Sequence, residues 1–196
     1  FGSKNGLSRY DGYSLKTYKY DDKEKNALPG ENIFQITEDS LKNIWILTNQ
    51  GTVRYNREKD SFDPIKLPDT NKNIIAYAAC PTKEGLILIT ANSLYFYNSY
   101  SDEITKETKI ENKHIFFHEI MMWDENTLLC SNKWNGIFLL DINTGEFRLS
   151  PLKEYDREIS RILIDSKNRV WTTSYNKGIV CLNKKGETIH SYSTKN

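Results

Sequence analysis

The hydrophobic residues of this chain occur in short runs that are interrupted by polar turn residues. Segment 44–56 is typical, with the apolar runs IWILT and GTVRYN on either side of the dipeptide NQ. Runs of roughly four to eight residues rich in Ile, Val, Tyr, Trp and Thr, bounded by Asn, Asp and Gly, predict β-strands joined by tight turns. No stretch of about a dozen residues keeps the i, i+3, i+4, i+7 spacing of an amphipathic helix. The pattern therefore predicts an all-β protein.

One strand pattern recurs at a nearly constant interval. The sequences GLSRYD, GTVRYN, NSLYFYN, GIFLLD and GIVCLN begin at Gly6, Gly51, Asn92, Gly136 and Gly178, in steps of 45, 41, 44 and 42 residues. A second set of aligned positions, in the strand before each of the last four, consists of Trp45, Ile87, Leu128 and Trp171. Two independent sets with one period indicate an internal repeat, which must be explained before any single residue is. The repeated position of Trp45 and Trp171 predicts that both lie in the core between repeats.

Four short strands in ~42 residues is the period of a β-propeller blade. The sequence thus predicts an all-β β-propeller with about four and a half four-stranded blades. The expected ranges are 1–18, holding only the third and fourth strands of a first blade, and 32–66, 73–108, 114–151 and 157–192. Propellers close with about four to eight blades, and this chain begins partway through one. Either the missing strands come from elsewhere or, as we favour, the chain is a piece of a longer array.

Composition excludes some functions. Lys and Arg total 27 and Asp and Glu total 26, so the chain lacks the basic excess that nucleic acids or anionic membrane surfaces require. No apolar run approaches the ~18 residues of a membrane span, and no signal peptide opens the sequence, so we expect any targeting or anchoring segment to lie outside it. Cys80, Cys130 and Cys181 lie in apolar runs without CxxC spacing, which predicts small buried hydrophobic residues. We expect neither a metal nor a cofactor.

The aligned repeat resembles the two-component regulator propeller repeat. Its best copies are Glu38–Asn56 and Asp165–Asn183. Both contain an acidic turn, a strand with Trp, a glycine three or four residues after that strand, and an apolar strand that ends at Asn. The opening FGSKNGLSRYDGYSLKTY looks like the end of a first blade in such arrays. The third and fourth units lack the Trp and match less well.

This resemblance implies a function. Such arrays are typically the periplasmic sensor portion of hybrid two-component system histidine kinases of Bacteroides-type bacteria, where two seven-bladed propellers precede a membrane helix and the signalling domains. Their usual signals are oligosaccharides, and they act as homodimers. No kinase, receiver or DNA-binding motif occurs in these 196 residues, so we expect this chain to sense a ligand and not to be an enzyme. Contact with a membrane is expected only through a segment outside the chain.

The topology of a propeller blade places the turns between second and third strands at the same end as the connections between blades. Amide groups and aromatic rings together are typical of sugar sites. Arg161 and Gln35, on innermost strands, are expected to line the central channel. The candidate ligand-binding residues are Asn49, Gln50, Lys133, Trp134, Asn135, Arg161, Tyr175 and Asn176. The alternative for each is an ordinary turn-forming or packing role.

Two other classes of protein share this architecture. A protein-interaction propeller would present an exposed apolar end, whereas these turns are mostly polar. A streptogramin-lyase-like enzyme would need a histidine close to carboxylates, and the only cluster is His114, His118 and Glu119. The two histidines are ~13 Å apart on one strand, too far to bind the same metal ion. We therefore predict no catalytic residue.

Overall fold

The computed structural model describes residues 1–21, 23–24, 26–68, 70–110, 117–132, 136–152, 159–174 and 178–193. All regular secondary structure named in these ranges is β-strand, which confirms the all-β prediction. Within the same ranges there is no helix of the length and hydrophobicity needed to cross a membrane.

The described residues form nineteen strands in five antiparallel sheets. The first sheet contains β1 (Gly2–Ser3), β2 (Gly6–Tyr10) and β3 (Leu15–Tyr18). The second contains β4 (Ile33–Glu38), β5 (Ile44–Thr48), β6 (Gly51–Asn56) and β7 (Ser61–Pro64). The third contains β8 (Ala78–Pro81), β9 (Gly85–Ile89), β10 (Ser93–Asn98) and β11 (Glu103–Lys109). In each sheet, strands that follow one another in sequence are neighbours.

The last two sheets repeat this arrangement. The fourth contains β12 (Glu119–Asp124), β13 (Thr127–Asn132), β14 (Gly136–Asp141) and β15 (Phe147–Leu149). The fifth contains β16 (Ile159–Ile164), β17 (Val170–Ser174), β18 (Gly178–Leu182) and β19 (Thr188–Tyr192). The first sheet differs from the prediction, because the short strand β1 pairs with β2 and adds a third strand to the two expected ones.

The chain divides into two compact units. The first consists of Phe1–Thr90 and Leu94–Glu107, and the second of Ala91–Ser93 and Thr108–Asn196. The first unit thus holds the first two sheets and most of the third, and the second unit holds the fourth and fifth.

The Asp or Asn that closes each third strand forms the turn that follows it. Its side-chain oxygen accepts hydrogen bonds of 2.8–3.1 Å from backbone N–H groups two to four residues further on. Such Asx turns are a recognised reason for Asp and Asn at these positions. The five residues are Asp11, Asn56, Asn98, Asp141 and Asn183. At Asp11 the N–H groups of Ser14 and Tyr13 lower the carboxyl pKa to about 2.

The acidic turn of the best repeat copies binds the tryptophan indole. Asp39 Oδ2 accepts a 2.9 Å hydrogen bond from Trp45 Nε1, and Asp165 Oδ2 accepts one of the same length from Trp171 Nε1. Burial acts to raise the pKa of Asp39, but hydrogen bonds from Asn43, Trp45 and Ser99 outweigh it and hold that pKa below its usual value. The aspartate and the tryptophan six residues later therefore form one structural unit.

One of the apolar clusters of the first unit lies between the second and third sheets. Trp45 is 0% exposed, and its ring meets the Tyr97 ring edge to face at 5.0 Å. Leu86 and Leu88 of the third sheet belong to the same apolar cluster. The prediction for Trp45 is thus confirmed, whereas Trp171 is only half-buried and stacks on Tyr192 of its own sheet. Cys80, Cys130 and Cys181 are buried free thiols, as expected.

The register corrects one aligned position. Thr48 pairs with Gly51, Asn132 with Gly136 and Ser174 with Gly178 at the start of the same turn in three sheets. The residues three positions before Thr48, Asn132 and Ser174 are Trp45, Leu129 and Trp171. Leu129, rather than Leu128, is therefore equivalent to the tryptophans, and it is fully buried.

A turn position between third and fourth strands contacts the preceding sheet. In the second sheet this residue is Asp60, with φ of 49°, and its carboxylate accepts hydrogen bonds from Tyr18 at 2.5 Å and Arg9 at 2.9 Å, both in the first sheet. Lys16 also pairs with Asp60, and Tyr55 of its own sheet lies 2.5 Å from Oδ1. The carboxylate thus joins the two sheets.

The same contact recurs one sheet further along the chain. Asp102, with φ of 60°, accepts a 2.8 Å hydrogen bond from Arg54 of the second sheet and another from Tyr97 of its own sheet. The hydrogen bond from Tyr97, followed by those from Arg54, keeps the pKa of Asp102 below its usual value.

We expect acid to weaken the contact at Asp60. Hydrogen bonds from Lys16 and then Tyr18 and Tyr55 hold the pKa of Asp60 well below its usual value. A carboxyl whose pKa is lowered by folding stabilises the protein above its unfolded pKa of about 3.9, and this contribution is lost as the pH falls toward the folded value. The free energy of unfolding should therefore decrease below about pH 4, and less steeply in Asp60→Asn.

Urea titrations at a series of pH values measure this dependence. Asp21→Asn is the matched control, because the Asp21 carboxylate accepts a backbone hydrogen bond from Lys23 and joins no second sheet. Equal slopes for the wild type and Asp60→Asn would show that the carboxylate contact does not contribute.

Candidate functional site

The turns between second and third strands lie beside the connections between sheets, as the topology predicts. In the first unit the backbone N–H of Asn49 donates to the Asn32 carbonyl at 3.1 Å, and that of Thr52 donates to the Ile74 carbonyl at 2.7 Å. A Cβ added at Gly51 would lie 3.3 Å from Asn73. We call this surface of the first unit, formed by residues 30–34, 49–51 and 73–77, the connection end.

Asn49 and Gln50 are the predicted ligand-binding residues of this surface. Both are exposed. Asn49 Oδ1 accepts a 3.2 Å hydrogen bond from the Asn32 N–H, so this amide partly serves to hold the connection. The Gln50 side chain hydrogen-bonds no described residue, and the turn itself is held by Thr48, whose hydroxyl accepts from the Gln50 N–H and donates to the Gly51 carbonyl. Gln50 therefore presents its amide to solvent.

Five of the eight candidates lie outside the described residues. They are Lys133, Trp134, Asn135, Tyr175 and Asn176. His114 lies outside them as well.

Arg161 and Gln35 bind neighbouring innermost strands. Arg161 Nη1 donates to Glu119 Oε1 at 2.6 Å, while Glu119 Oε2 accepts a 2.6 Å hydrogen bond from the Ile162 N–H. Gln35 exchanges two hydrogen bonds with the Ala79 backbone, at 2.9 and 2.8 Å. Glu119 and Gln35 hold equivalent positions in β12 and β4, so this contact is part of the repeat. Arg161 remains 69% exposed despite its ion pair.

An aromatic pair at the connection end was missed from the sequence. The rings of Phe34 and Tyr77 lie 6.1 Å apart with an interplanar angle of 35°. Phe34 is 36% exposed, and Tyr77 is half-buried. Phe34 is the extra residue of a β-bulge, because Ile33 pairs with Thr48 and Gln35 pairs with Leu47. Bulges redirect side chains and are frequent next to functional sites.

The sequence contained a signal for this pair. Tyr77 N–H donates to the Ile89 carbonyl and His118 N–H donates to the Ser131 carbonyl, each just before an innermost strand. Through the register, these two positions are equivalent to Phe34, and Ser160 is the corresponding bulge residue of β16. The repeat therefore has one position, at the start of each innermost strand, where a different residue type occurs in each of the last four sheets.

Metal chemistry has no candidate among the described residues, where no three His, Cys, Asp or Glu side chains could hold a metal ion. The carboxylate of Glu119, next to the exposed His118, is used by Arg161 and the Ile162 N–H. The chemistry that the connection end offers is amide hydrogen bonding beside an aromatic surface.

Comparison with solved structures defines the class of fold. The extracellular domain of a putative hybrid two component system from B. thetaiotaomicron is 18% identical, with a TM-score of 0.73 over 98% of this chain and 28% of that one. The extracellular domain of a putative one component system from the same organism is 18% identical, with a TM-score of 0.74 over 100% of this chain and 29% of that one. Virginiamycin B lyase from Staphylococcus aureus is 17% identical, with a TM-score of 0.66 over 98% and 64%. The fold is a β-propeller fold, as predicted.

A family model then identifies the repeat. The model described as "Two component regulator propeller" matches residues 27–50, which include the Asp39–Trp45 unit and the Asn49–Gln50 turn, and this confirms the predicted repeat in that segment. No curated protein sequence matches the chain. The chain spans little more than a quarter of the length of the two B. thetaiotaomicron domains, and less than two thirds of the lyase.

Proposed function

We propose that this chain is a ligand-sensing segment of an extracytoplasmic propeller in a hybrid two-component system, and that its ligand is an oligosaccharide. The match to the two component regulator propeller repeat and the likeness in fold to two extracellular sensor domains support this proposal. The parent protein would be a periplasmic sensor anchored in the inner membrane. It would act as a homodimer and pass the signal to a kinase outside this chain.

One observation carries the proposal. The polar residues that recur in the repeat are used within the fold: Asp39 binds the Trp45 indole, Asn98 forms its turn and Asp60 joins two sheets. Gln50 does not recur and leaves its amide exposed beside Asn49. Polar groups that the fold does not require are the ones available to bind a ligand.

We also propose that the chain is part of a larger, seven-bladed propeller, since it covers about 28% of the extracellular domain to which it is similar.

Two other functions were considered. A role in protein interaction is the alternative, and a lyase-like enzyme is less favoured, because the Glu119 carboxylate beside His118 is already bound by Arg161.

Calorimetric titration of the intact protein with defined oligosaccharides tests the proposal. We expect one glycan class to give binding heat, and Gln50→Ala to weaken that binding by roughly two- to tenfold through the loss of one amide contact. Trp134→Ala and Tyr175→Ala should weaken it as well. Ser101→Ala, an exposed polar residue of a turn between third and fourth strands, is the matched control.

Two results would contradict the sensor. Absence of heat with every glycan, together with specific capture of a protein partner, would favour the interaction class. Turnover of a small molecule would favour the lyase class.

A further inference from the structure

We propose that Phe34 and Tyr77 form an aromatic platform that stacks against an uncharged pyranose ring of the oligosaccharide. This inference rests on the proposed function and adds a subsite to it. The face of a pyranose ring is apolar, while its hydroxyl groups lie at the rim, so a sugar binds where an aromatic surface adjoins hydrogen-bonding side chains.

The pair is more exposed than the packed pair of Trp45 and Tyr97 in the same unit. Trp45 and Tyr97 meet edge to face, at an interplanar angle of 73°, with both side chains buried. The rings of Phe34 and Tyr77 are tilted by 35°, and Phe34 is 36% exposed while Tyr77 is half-buried. The exposed part of the Phe34 ring is the surface that a ligand can contact.

The fold does not require aromatic residues at this place. The equivalent positions in the later innermost strands are His118 and Ser160, in sheets that otherwise follow the same pattern. A packing role would favour apolar residues in every repeat. The aromatic rings are therefore a local feature of the first unit.

The pair is held in position by its neighbours in sequence. Gln35, directly after Phe34, makes two hydrogen bonds to the backbone of Ala79, two residues after Tyr77. These bonds fix β4 against β8. The bulge at Phe34 turns the Phe34 side chain in a different direction from the Gln35 side chain. Gln35 is a positioning residue for the platform.

Hydrogen-bonding groups for the sugar hydroxyls lie on the same surface. The exposed side chains of the connection end include Asn49, Gln50 and Asn73, and Ile75 adds apolar area as it is 42% exposed. The charged side chain of the connection end is Glu31, an exposed carboxylate that would repel an anionic sugar. An anionic sugar would need Arg or Lys as a partner, so the amides favour an uncharged one.

Titration calorimetry of the intact protein with cellohexaose, maltohexaose and an oligogalacturonate of similar length tests this inference. We expect a neutral hexasaccharide to bind and the oligogalacturonate not to bind. Phe34→Ala should raise the Kd roughly tenfold, and Tyr77→Ala should have a similar effect, because the stacked ring is lost. Phe34→Trp, which enlarges the platform, should retain or lower the Kd.

Ile36→Ala is the matched control, because Ile36 is also apolar and 39% exposed on β4 but lies outside the aromatic pair. Circular dichroism of each variant establishes that the sheets are intact. If glycan binding survives in Phe34→Ala and Tyr77→Ala but is lost in Trp134→Ala, the platform is wrong and the proposed sensor function stands. If only the oligogalacturonate binds the wild type, or if none of the three sugars does, the platform is overturned; the sensor proposal is overturned only when the full set of glycans gives no heat.

Discussion

Replacing Trp45 with alanine is expected to lower the free energy of unfolding by about 3–5 kcal/mol, the range for a large aromatic residue removed from a packed core. Trp45 is fully buried between the second and third sheets, where its ring contacts Tyr97. Its loss also takes one hydrogen-bond donor from the buried Asp39 carboxylate. Equilibrium unfolding in urea, followed by circular dichroism, measures the change.

Trp171→Ala is the matched control. Trp171 occupies the equivalent position and makes the equivalent hydrogen bond to Asp165, but it is only half-buried. Because folding buries less of the Trp171 side chain than of Trp45, we expect its removal to lower the free energy of unfolding by only about 1–2 kcal/mol. Equal losses in the two variants would show that the tryptophan–aspartate bond, and not burial between sheets, determines the stability.

Gly145→Ala should be the second strongly destabilising change. Gly145 has φ of 77°, and a Cβ at this position would lie 1.8 Å from the Lys109 carbonyl oxygen. The left-handed conformation costs an L-residue about 1–2 kcal/mol, and the steric overlap adds about 1–3 kcal/mol, because the backbone must move apart. The same urea titration measures this loss.

Gly12→Ala separates the two contributions. Gly12 also has a positive φ, of 99°, but no atom lies within 4 Å of an added Cβ. This variant should therefore show only the conformational cost of about 1–2 kcal/mol. A Gly145→Ala variant no less stable than Gly12→Ala would mean that the Lys109 backbone shifts without cost.

The repeat and the strands could be predicted because they depend on local sequence. Turn chemistry is one example, since Asp11 and Asn183 each form a turn with their own neighbours. Aligning the second strands by their first residues made Leu128 equivalent to the tryptophans, which is wrong by one residue. The turn between β12 and β13 is shorter than the turn between β4 and β5, so β13 begins one position earlier relative to its neighbours. Pairing with the next strand, which fixes Leu129, is not visible in one strand alone.

The candidate site was harder to predict because it depends on contacts between strands distant in sequence. Gln35, for example, binds the backbone of Ala79, which lies 44 residues further on and in another sheet. Phe34 lies in an apparently ordinary strand, and its variable repeat position is recognised only once the register and the bulge are known. The exposure of Asn49 and Gln50 could be predicted, because turn residues between two clear strands are exposed in most folds.

The turn residue that touches the preceding sheet also limits how this protein can change during evolution. Asp60 and Asp102 each pair with an arginine of the preceding sheet, whereas Gly145 and Gly186 lie so close to the Lys109 and Pro151 carbonyl oxygens that a side chain would collide with them. A repeat exchanged between these two kinds of place would therefore either leave its carboxylate without a cation or create a steric clash with the backbone. The order of the repeats is therefore specified along the chain, and recombination between them is expected to be tolerated only within the aspartate pair or within the glycine pair.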